Sequence, residues 1–153
     1  MSAVVQLVES PEDRVASWTI RERVFIREQG IDKSLERDHL DEIAWHFLAR
    51  VEGVPVGTAR VFGLDADHRP IPPSGAPVVK IGRMAVLPDT RRRGVGRALL
   101  DFVVSLAKRR GAVRAELSAQ EYVVPFYERA GFIAEGDAYA EAGIRHRRMA
   151  RGL

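Results

Sequence analysis

The chain has 153 residues, a length typical of one domain with a sizeable hydrophobic core. Hydrophobic residues make up 46% and charged residues 29%, a balance that excludes a disordered chain or a collagen-like repeat. Cysteine is absent, which excludes disulfides, thiolate nucleophiles and cysteine-ligated metals, and the formal net charge is only +3.

The first part of the chain predicts a strand, a long helix and a hairpin. Ser10 is a typical N-cap, Pro11 suits the first helical position, and acids follow in the first turn. We expect Val15, Trp18 and Phe25 of this helix to face inward. The elements predicted here are a strand over Val4–Val8, a helix from Ser10 to about Arg27, a solvated charged loop over Glu36–Glu42, and strands over Ile43–Val51 and Val54–Phe62.

The second part predicts one long loop and then alternating strands and helices. An apolar stripe at helical spacing runs through Val95, Leu99 and Leu106, and Gly111 follows as a typical C-terminal stop. The elements predicted here are a loop over Gly63–Pro77, a strand over Val78–Leu87, a helix over Gly94–Arg110, a strand over Val113–Leu117, a helix over Tyr122–Ala130, and strands over Phe132–Ala134 and Ile144–Ala150.

The order of these elements is β-α-β-β-β-α-β-α-β-β. The hairpin around Glu52-Gly53 requires antiparallel strands, whereas the helix that begins at Gly94 allows a parallel crossover. We therefore predict a single α/β domain over residues 1–153 with a mixed sheet.

The most informative local pattern is Arg91-Arg92-Arg93-Gly94-Val95-Gly96, between a predicted strand and a predicted helix. Glycines allow a ligand to approach the backbone closely, and a helix start leaves N–H groups without partners, so such a turn suits a pyrophosphate. The spacing fits neither GxxxxGK[ST] nor GxGxxG. A glycine-softened turn beside solvated arginines is the alternative interpretation of this segment.

Three segments together resemble the GNAT superfamily of N-acetyltransferases. Ile81-Gly82-Arg83-Met84-Ala85-Val86-Leu87-Pro88, followed by the RxxGxG run, is similar to its acetyl-CoA-binding motif, and Phe126-Tyr127-Glu128-Arg129-Ala130-Gly131-Phe132 is similar to its FYxxxGF segment. Val24-Phe25-Ile26-Arg27-Glu28-Gln29, Ala44-Trp45-His46 and Gly143-Ile144-Arg145-His146 resemble the ElaA-like branch. The resemblance implies a largely antiparallel sheet whose central parallel strand pair splays apart, with flanking helices.

The resemblance also implies how a donor would bind. Amides of the turn would hold the pyrophosphate of acetyl-CoA, Arg91 and Arg97 would add charge-assisted contacts, and the pantetheine arm would pair with the central strand. The implied cofactor-binding residues are Met84, Ala85, Val86, Arg91, Arg92, Arg93, Gly94, Val95, Gly96 and Arg97.

For the chemistry, the resemblance implies acetyl transfer to a primary amine by direct attack in a ternary complex. A backbone N–H near Val86 would polarise the thioester carbonyl, and Tyr127 would protonate the departing thiolate. The general base stays open between Glu28, His46, His146 and water. The acceptor, a small-molecule or peptide amine, also stays open.

Other functions and partners are weighed on the same residues. A non-catalytic acyl-CoA-binding module would not need the hydroxyl of Tyr127. A nucleic-acid role for the arginine runs lacks interleaved aromatic residues, so no nucleic-acid partner is expected. Four scattered histidines indicate no metal site. The absence of a leader pattern or a long apolar run favours a cytoplasmic protein without a membrane partner, and a homodimer is common among similar proteins.

Overall fold

The structure is a computed structural model, and it describes residues 2–153 as one mixed sheet with helices on both faces. The strands are β1 (Val4–Leu7), β2 (Trp45–Val51), β3 (Val54–Leu64), β4 (Pro70–Ile71), β5 (Val78–Val86), β6 (Arg114–Gln120), β7 (Ile133–Glu141) and β8 (Ile144–Gly152). The α-helices are α1 (Pro11–Arg21), α2 (Lys33–Glu36), α3 (Val95–Arg109) and α4 (Val124–Arg129). A π-helical segment (Glu22–Glu28) continues α1, and 3₁₀ turns span His39–Glu42, Pro88–Thr90 and Glu121–Val123.

The sheet has the order β1-β2-β3-β5-β6-β8-β7, and the short β4 pairs with β3. Strands β5 and β6 form a parallel pair, and the other neighbours are antiparallel. The parallel pairing ends at Ile81 and Leu117, although β5 continues to Val86 and β6 to Gln120. The predicted mixed, largely antiparallel sheet with a splayed parallel pair is therefore confirmed.

Helix α3 packs against one face of the sheet and fixes the position of the turn before it. Val95 and Leu99 are buried there, as the apolar stripe predicts. A Cβ built on Gly57 of β3 would lie 2.9 Å from Leu99 Cδ1 and 3.1 Å from Val95 Cγ1, so the helix packs directly on the backbone of β3. Within residues 2–153, no helix is long and apolar enough to cross a membrane.

Helix α1 lies on the opposite face of the sheet, but the buried side of α1 differs from the side that the sequence predicts. Val15 is 59% exposed, so its predicted inward position is wrong. The buried positions of α1 are Ser17, Ile20 and Arg21. Two of these three residues are polar, and an apolar pattern therefore does not reveal the buried face. The predicted end near Arg27 falls within the π-helical segment.

The prediction of a solvated loop over Glu36–Glu42 is wrong. Residues 31–43, which we call the strap, fold as α2 and a 3₁₀ turn across the sheet, with the carboxylates of Glu36 and Asp41 buried. The guanidinium of Arg21, only 1% exposed, donates to Glu36 Oε2 at 2.9 Å and to Asp41 Oδ1 at 2.8 Å. Charges that a sequence alone assigns to solvent are thus internal ion pairs.

Several element bounds also differ from the predictions. The predicted loop over Gly63–Pro77 contains the end of β3 and all of β4. Strand β6 extends three residues beyond its predicted end at Leu117, and the predicted helix over Tyr122–Ala130 is a 3₁₀ turn followed by the shorter α4. Strand β7 extends to Glu141 rather than Ala134. The sequence does not predict this extension, because the small and charged side chains of β7 do not alternate in the usual way.

Candidate active site

A cavity of about 1050 Å³ opens where β5 and β6 separate. Its walls come from the second halves of these strands, the π-helical segment, the strap, the turn before α3, and α4. The cavity therefore brings together the two motifs around residues 81–97 and 126–132, which are distant in sequence.

The second half of β5 presents a backbone edge to this cavity. On one side, β5 pairs with β3 as far as Val86 opposite Gly57. On the other side, no strand of residues 2–153 pairs with β5 beyond Ile81. Met84, Ala85 and Val86, which the sequence singled out for the donor, all line the cavity from this segment. An extended, amide-bearing ligand can add to such an edge as a strand would.

A β-bulge interrupts this part of β5 and redirects one arginine. The register with β3 shifts between Thr58 and Arg60, and Arg83 has a φ of +51° within the bulge. The Arg83 side chain reaches the strap, where its Nη2 donates to the Glu36 carbonyl at 3.0 Å and its Nε donates to Glu36 Oε2 at 3.1 Å. The bulge therefore anchors the strap beside the open edge of β5.

The turn before α3 lines the cavity together with the uncapped N-terminus of that helix. Gly94 has a φ of +84°, a conformation that favours glycine, and α3 begins at the next residue without a side-chain cap. A Cβ on Gly94 would meet nothing within 4 Å, whereas one on Gly96 would lie 3.5 Å from the ring of Phe126. Of the predicted cofactor-binding residues in this turn, those that line the cavity are Arg91, Arg92, Gly94, Gly96 and Arg97. Val95 is buried in the core, and the side chain of Arg93 is exposed.

Arg91 and Glu28, which the sequence assigned to separate roles, form one bidentate ion pair. Arg91 Nη1 and Nη2 each donate to a Glu28 carboxylate oxygen at 2.6 Å, and Arg91 Nε donates to the Val86 carbonyl at 2.8 Å. The hydrogen bond from Arg91 lowers the pKa of Glu28 below its ordinary value. Glu28 thus holds the turn against the π-helical segment, and its basicity is reduced.

Tyr127 lies at the point where the two strands separate. Its side chain is buried between the rings of Phe126 and Phe132, and its hydroxyl donates to Met84 Sδ at 3.5 Å. Burial raises the pKa of Tyr127 above its ordinary value. The phenol therefore stays protonated at neutral pH while it faces the edge of β5, as a proton donor must.

Only one of the two histidines that are candidates for the general base lines the cavity. His146, on β8, is 6% exposed, and its Nδ1–H donates to the Ile144 carbonyl at 2.7 Å. The other ring nitrogen, Nε2, lies 3.6 Å from a carboxylate oxygen of Glu141. His46 is buried under the strap with its Nε2 2.9 Å from the Asp41 carbonyl, and burial lowers its pKa.

Sequence reasoning missed a pair of amides that crosses the cavity. Gln29 and Gln120 exchange two hydrogen bonds, at 3.3 Å and 2.8 Å, and connect the end of the π-helical segment to the end of β6. The two residues are 91 positions apart in the chain, so no local pattern relates them. Gln29 alone could have been noticed, because it follows Glu28 in the segment that resembles the ElaA-like branch.

Comparison with known proteins agrees with this geometry. The family model of the acetyltransferase (GNAT) domain matches residues 9–153. The chain belongs to the GNAT family. The Escherichia coli ElaA structure shares 26% identity and covers 99% of its own chain and 98% of this one, with a TM-score of 0.76. This GNAT protein therefore lies in the ElaA-like branch, as the sequence predicted.

Two further relatives cover this GNAT domain almost completely. The structure of an acyl-CoA N-acyltransferase from Pseudomonas aeruginosa shares 26% identity over 99% of each chain, with a TM-score of 0.80. The uncharacterised N-acetyltransferase YjcF of Bacillus subtilis (strain 168) is 29% identical over 150 residues, which are 97% of this chain and 98% of the relative. Acyl-CoA-dependent N-acyl transfer is the activity that this family membership supports.

Proposed function

We propose that the protein transfers the acetyl group of acetyl-CoA to a primary amine by direct attack in a ternary complex. The observation that carries this proposal is the placement of the Tyr127 hydroxyl beside the unpaired edge of β5, 3.5 Å from Met84 Sδ. The hydroxyl and the edge line the same cavity as the N-terminus of α3.

Two backbone segments of this cavity suit the donor. The edge of β5 from residue 82 to residue 86 offers N–H and C=O groups to the pantetheine arm, and the uncapped start of α3 offers N–H groups to the pyrophosphate. Arg92 and Arg97 line the cavity on this side and add positive charge. Two N–H groups of Arg91 remain beyond its bonds to Glu28 and Val86, and these are available to phosphate.

The proton transfers can be assigned to two side chains of the cavity. His146 Nε2 accepts a proton from the ammonium or the attacking amine, and the amine nitrogen bonds to the thioester carbon as the carbon–sulfur bond breaks. A backbone N–H near Val86 stabilises the negative charge that develops on the carbonyl oxygen. Tyr127 donates its hydroxyl proton to the leaving sulfur and regains a proton from solvent. We prefer His146 to Glu28 as the base because the Glu28 carboxylate is held by Arg91.

Donor binding is tested by thermal unfolding with acetyl-CoA, NADH or ATP. At a concentration of about 100 Kd, acetyl-CoA should stabilise the fold by about 2.7 kcal/mol, a rise in Tm of about 5–10 °C. Gly94→Val places a branched side chain in the open space before α3 and should abolish this rise.

Gly53→Val is the matched control. Gly53 has a φ of +80° and equally open surroundings, but it lies in the β2–β3 turn outside the cavity, so it carries the same backbone strain without touching the donor. A rise in Tm with NADH or ATP but not with acetyl-CoA would refute the donor assignment. Binding of acetyl-CoA without transfer to any amine would favour the alternative, a non-catalytic acyl-CoA-binding module.

A further inference from the structure

Lys80 is a cation without an anionic partner in the cavity. It is one of only three lysines among 24 basic residues, and it interrupts the apolar strand β5. Its side chain is half-buried and lines the cavity, yet it forms no ion pair within residues 2–153. A partly desolvated ammonium group without a counter-charge is unfavourable, so this position favours the binding of an anion.

The other charged groups near Lys80 are already paired with one another. Along the strap wall, Arg60 pairs with Asp38 at 2.7 Å and Arg83 pairs with Glu36 at 3.1 Å. The acid opposite Lys80 in the parallel register is Glu116. Arg60 and Arg83 therefore already have anionic partners, whereas the ammonium of Lys80 has none among residues 2–153.

Glu116 forms no ion pair with Lys80 within residues 2–153, and two other side chains bind its carboxylate. Arg114 Nε donates to one oxygen at 2.9 Å, and His68 Nε2 lies 2.9 Å from the other. Glu116 is also not among the residues that line the cavity. Glu141 does line it, but its carboxylate lies beside His146, at the end of β7.

The space beside Lys80 leads to the place where the strands separate. Val79 and Ile81 are buried on the α3 side, so Lys80 and Gly82 face the strap side, about 6.6 Å apart along the strand. A Cβ on Gly82 would meet nothing within 4 Å, which leaves room above the sheet. The apolar residues around this space are Phe25, Ile31, Leu35, Leu40 and Phe62.

We propose that the acetyl acceptor is a small amino-carboxylate: its amine reacts at the β5–β6 gap, the ammonium of Lys80 binds its carboxylate, and its apolar part contacts the strap. This inference rests on the proposed function and adds the class of the acceptor. Lys80 directly precedes the unpaired edge of β5, so its ammonium can bind a carboxylate on a small molecule whose amine lies in the gap.

The experiment compares acceptors that differ only in this charge. Release of coenzyme A thiol is measured with leucine and leucinamide, with phenylalanine and phenylalaninamide, and with β-alanine and β-alaninamide. For each pair, the ratio of kcat/KM for the acid to that for the amide is determined in the wild type and in variants. Because the difference in amine basicity within a pair is the same for every variant, the change in this ratio reports the binding of the carboxylate.

Lys80→Met should lower the acid-to-amide ratio by about 10- to 100-fold, mainly through a higher KM for the acid, as expected for the loss of one charge-assisted hydrogen bond. Lys80→Arg keeps the charge and should retain most of the ratio. Lys108→Met is the control, because Lys108 is exposed in the last turn of α3 and outside the cavity. The KM for acetyl-CoA should be the same in all these proteins.

An acid-to-amide ratio that Lys80→Met leaves unchanged would overturn the inference. Acetylation of the amides alone would overturn it as well and would leave the proposed function in place. Failure of every amine to release coenzyme A would instead count against the proposed function itself, and this inference would fail with it.

Discussion

The hydroxyl of Tyr127 is the single group on which the proposed chemistry depends most. Burial among aromatic rings raises its pKa, so it remains a donor across the pH range in which amines lose their protons. Tyr127→Phe should lower kcat by about 100-fold, the lower end of the range for a general acid, because a thiolate is already a fair leaving group. The affinity for acetyl-CoA should stay nearly constant.

The pH profile provides a second measurement on Tyr127. Because the pKa is raised, ionisation of this phenol cannot cause kcat to fall between about pH 7 and pH 10, the ordinary tyrosine value. Full activity in a Tyr127→Phe variant with an unchanged Tm would assign the proton to water. A large drop in Tm would instead show damage to the packing of Phe126 and Phe132.

His146→Gln tests the proposed base. The variant should lower kcat/KM for the amine by about 100-fold, since the cavity loses the imidazole that is proposed to take the proton of the amine. His39→Gln serves as the control, because His39 is exposed and does not line the cavity. Equal rates for wild type and His146→Gln at every pH would return the role to Glu28 or water.

The residues of the site differ in how far sequence could predict them. Gly94 and Tyr127 occupy local motifs with fixed spacing, and such motifs are recognisable from the order of amino acids alone. Lys80 and the Gln29–Gln120 pair depend on strand pairing and on contacts between distant segments, which no local spacing encodes. The sequence nevertheless contains a signal for Lys80, because a lysine in the most apolar strand needs a polar or anionic partner.

At the scale of elements, the strap shows why charge alone is a poor guide to exposure. Asp41 accepts hydrogen bonds from Arg21 at 2.8 Å and from Arg60 at 3.0 Å, and both arginines are buried. The sequence contains all these charges but not their mutual distances, so the run over Glu36–Glu42 resembled a solvated loop. Pairing makes the buried position tolerable only while every partner is present.

Asp41→Asn should destabilise the protein by about 3 kcal/mol, because it leaves buried guanidinium groups without a full counter-charge. Denaturant unfolding measures this difference. Asp67→Asn is the control, since Asp67 forms an exposed pair with Arg69 and should change stability by less than about 0.5 kcal/mol. Similar losses of stability in both variants would contradict the role assigned to the ion pairs of Asp41 with Arg21 and Arg60.

The ion pairs of Asp41 with Arg21 and Arg60 also predict that the stability of the fold depends on pH. Burial raises the pKa of Asp41, but the hydrogen bonds and charges of Arg21 and Arg60 outweigh burial and hold that pKa well below its usual range. The ionised carboxylate therefore stabilises the fold above about pH 4, near the value for an unfolded chain, and this contribution is lost as the pH falls further. The stability gap between wild type and Asp41→Asn should be constant above about pH 5 and should narrow below about pH 4.

At the scale of the molecule, the sheet opens one gap between β5 and β6, which the turn before α3 and the strap both line. The hairpin and the crossover around α3 were predictable because hydrophobic periodicity and turn residues specify them locally. Strand β7 and the extension of β6 were not, because their polar and small residues form an incomplete alternation. The gap itself depends on where the pairing of β5 and β6 stops, which is a property of tertiary packing.

The most direct test of amine acetylation is a single-turnover reaction of the protein with equimolar acetyl-CoA and a panel of amino-carboxylates and simple amines. Released thiol and the acetylated amine are counted in the same sample by colorimetry and mass spectrometry. Direct attack in a ternary complex predicts one acetylated amine for each thiol, with release that requires the amine and no acetyl group left on the protein. Thiol release that is independent of amine, or an acetylated protein without acetylated amine, would contradict the account.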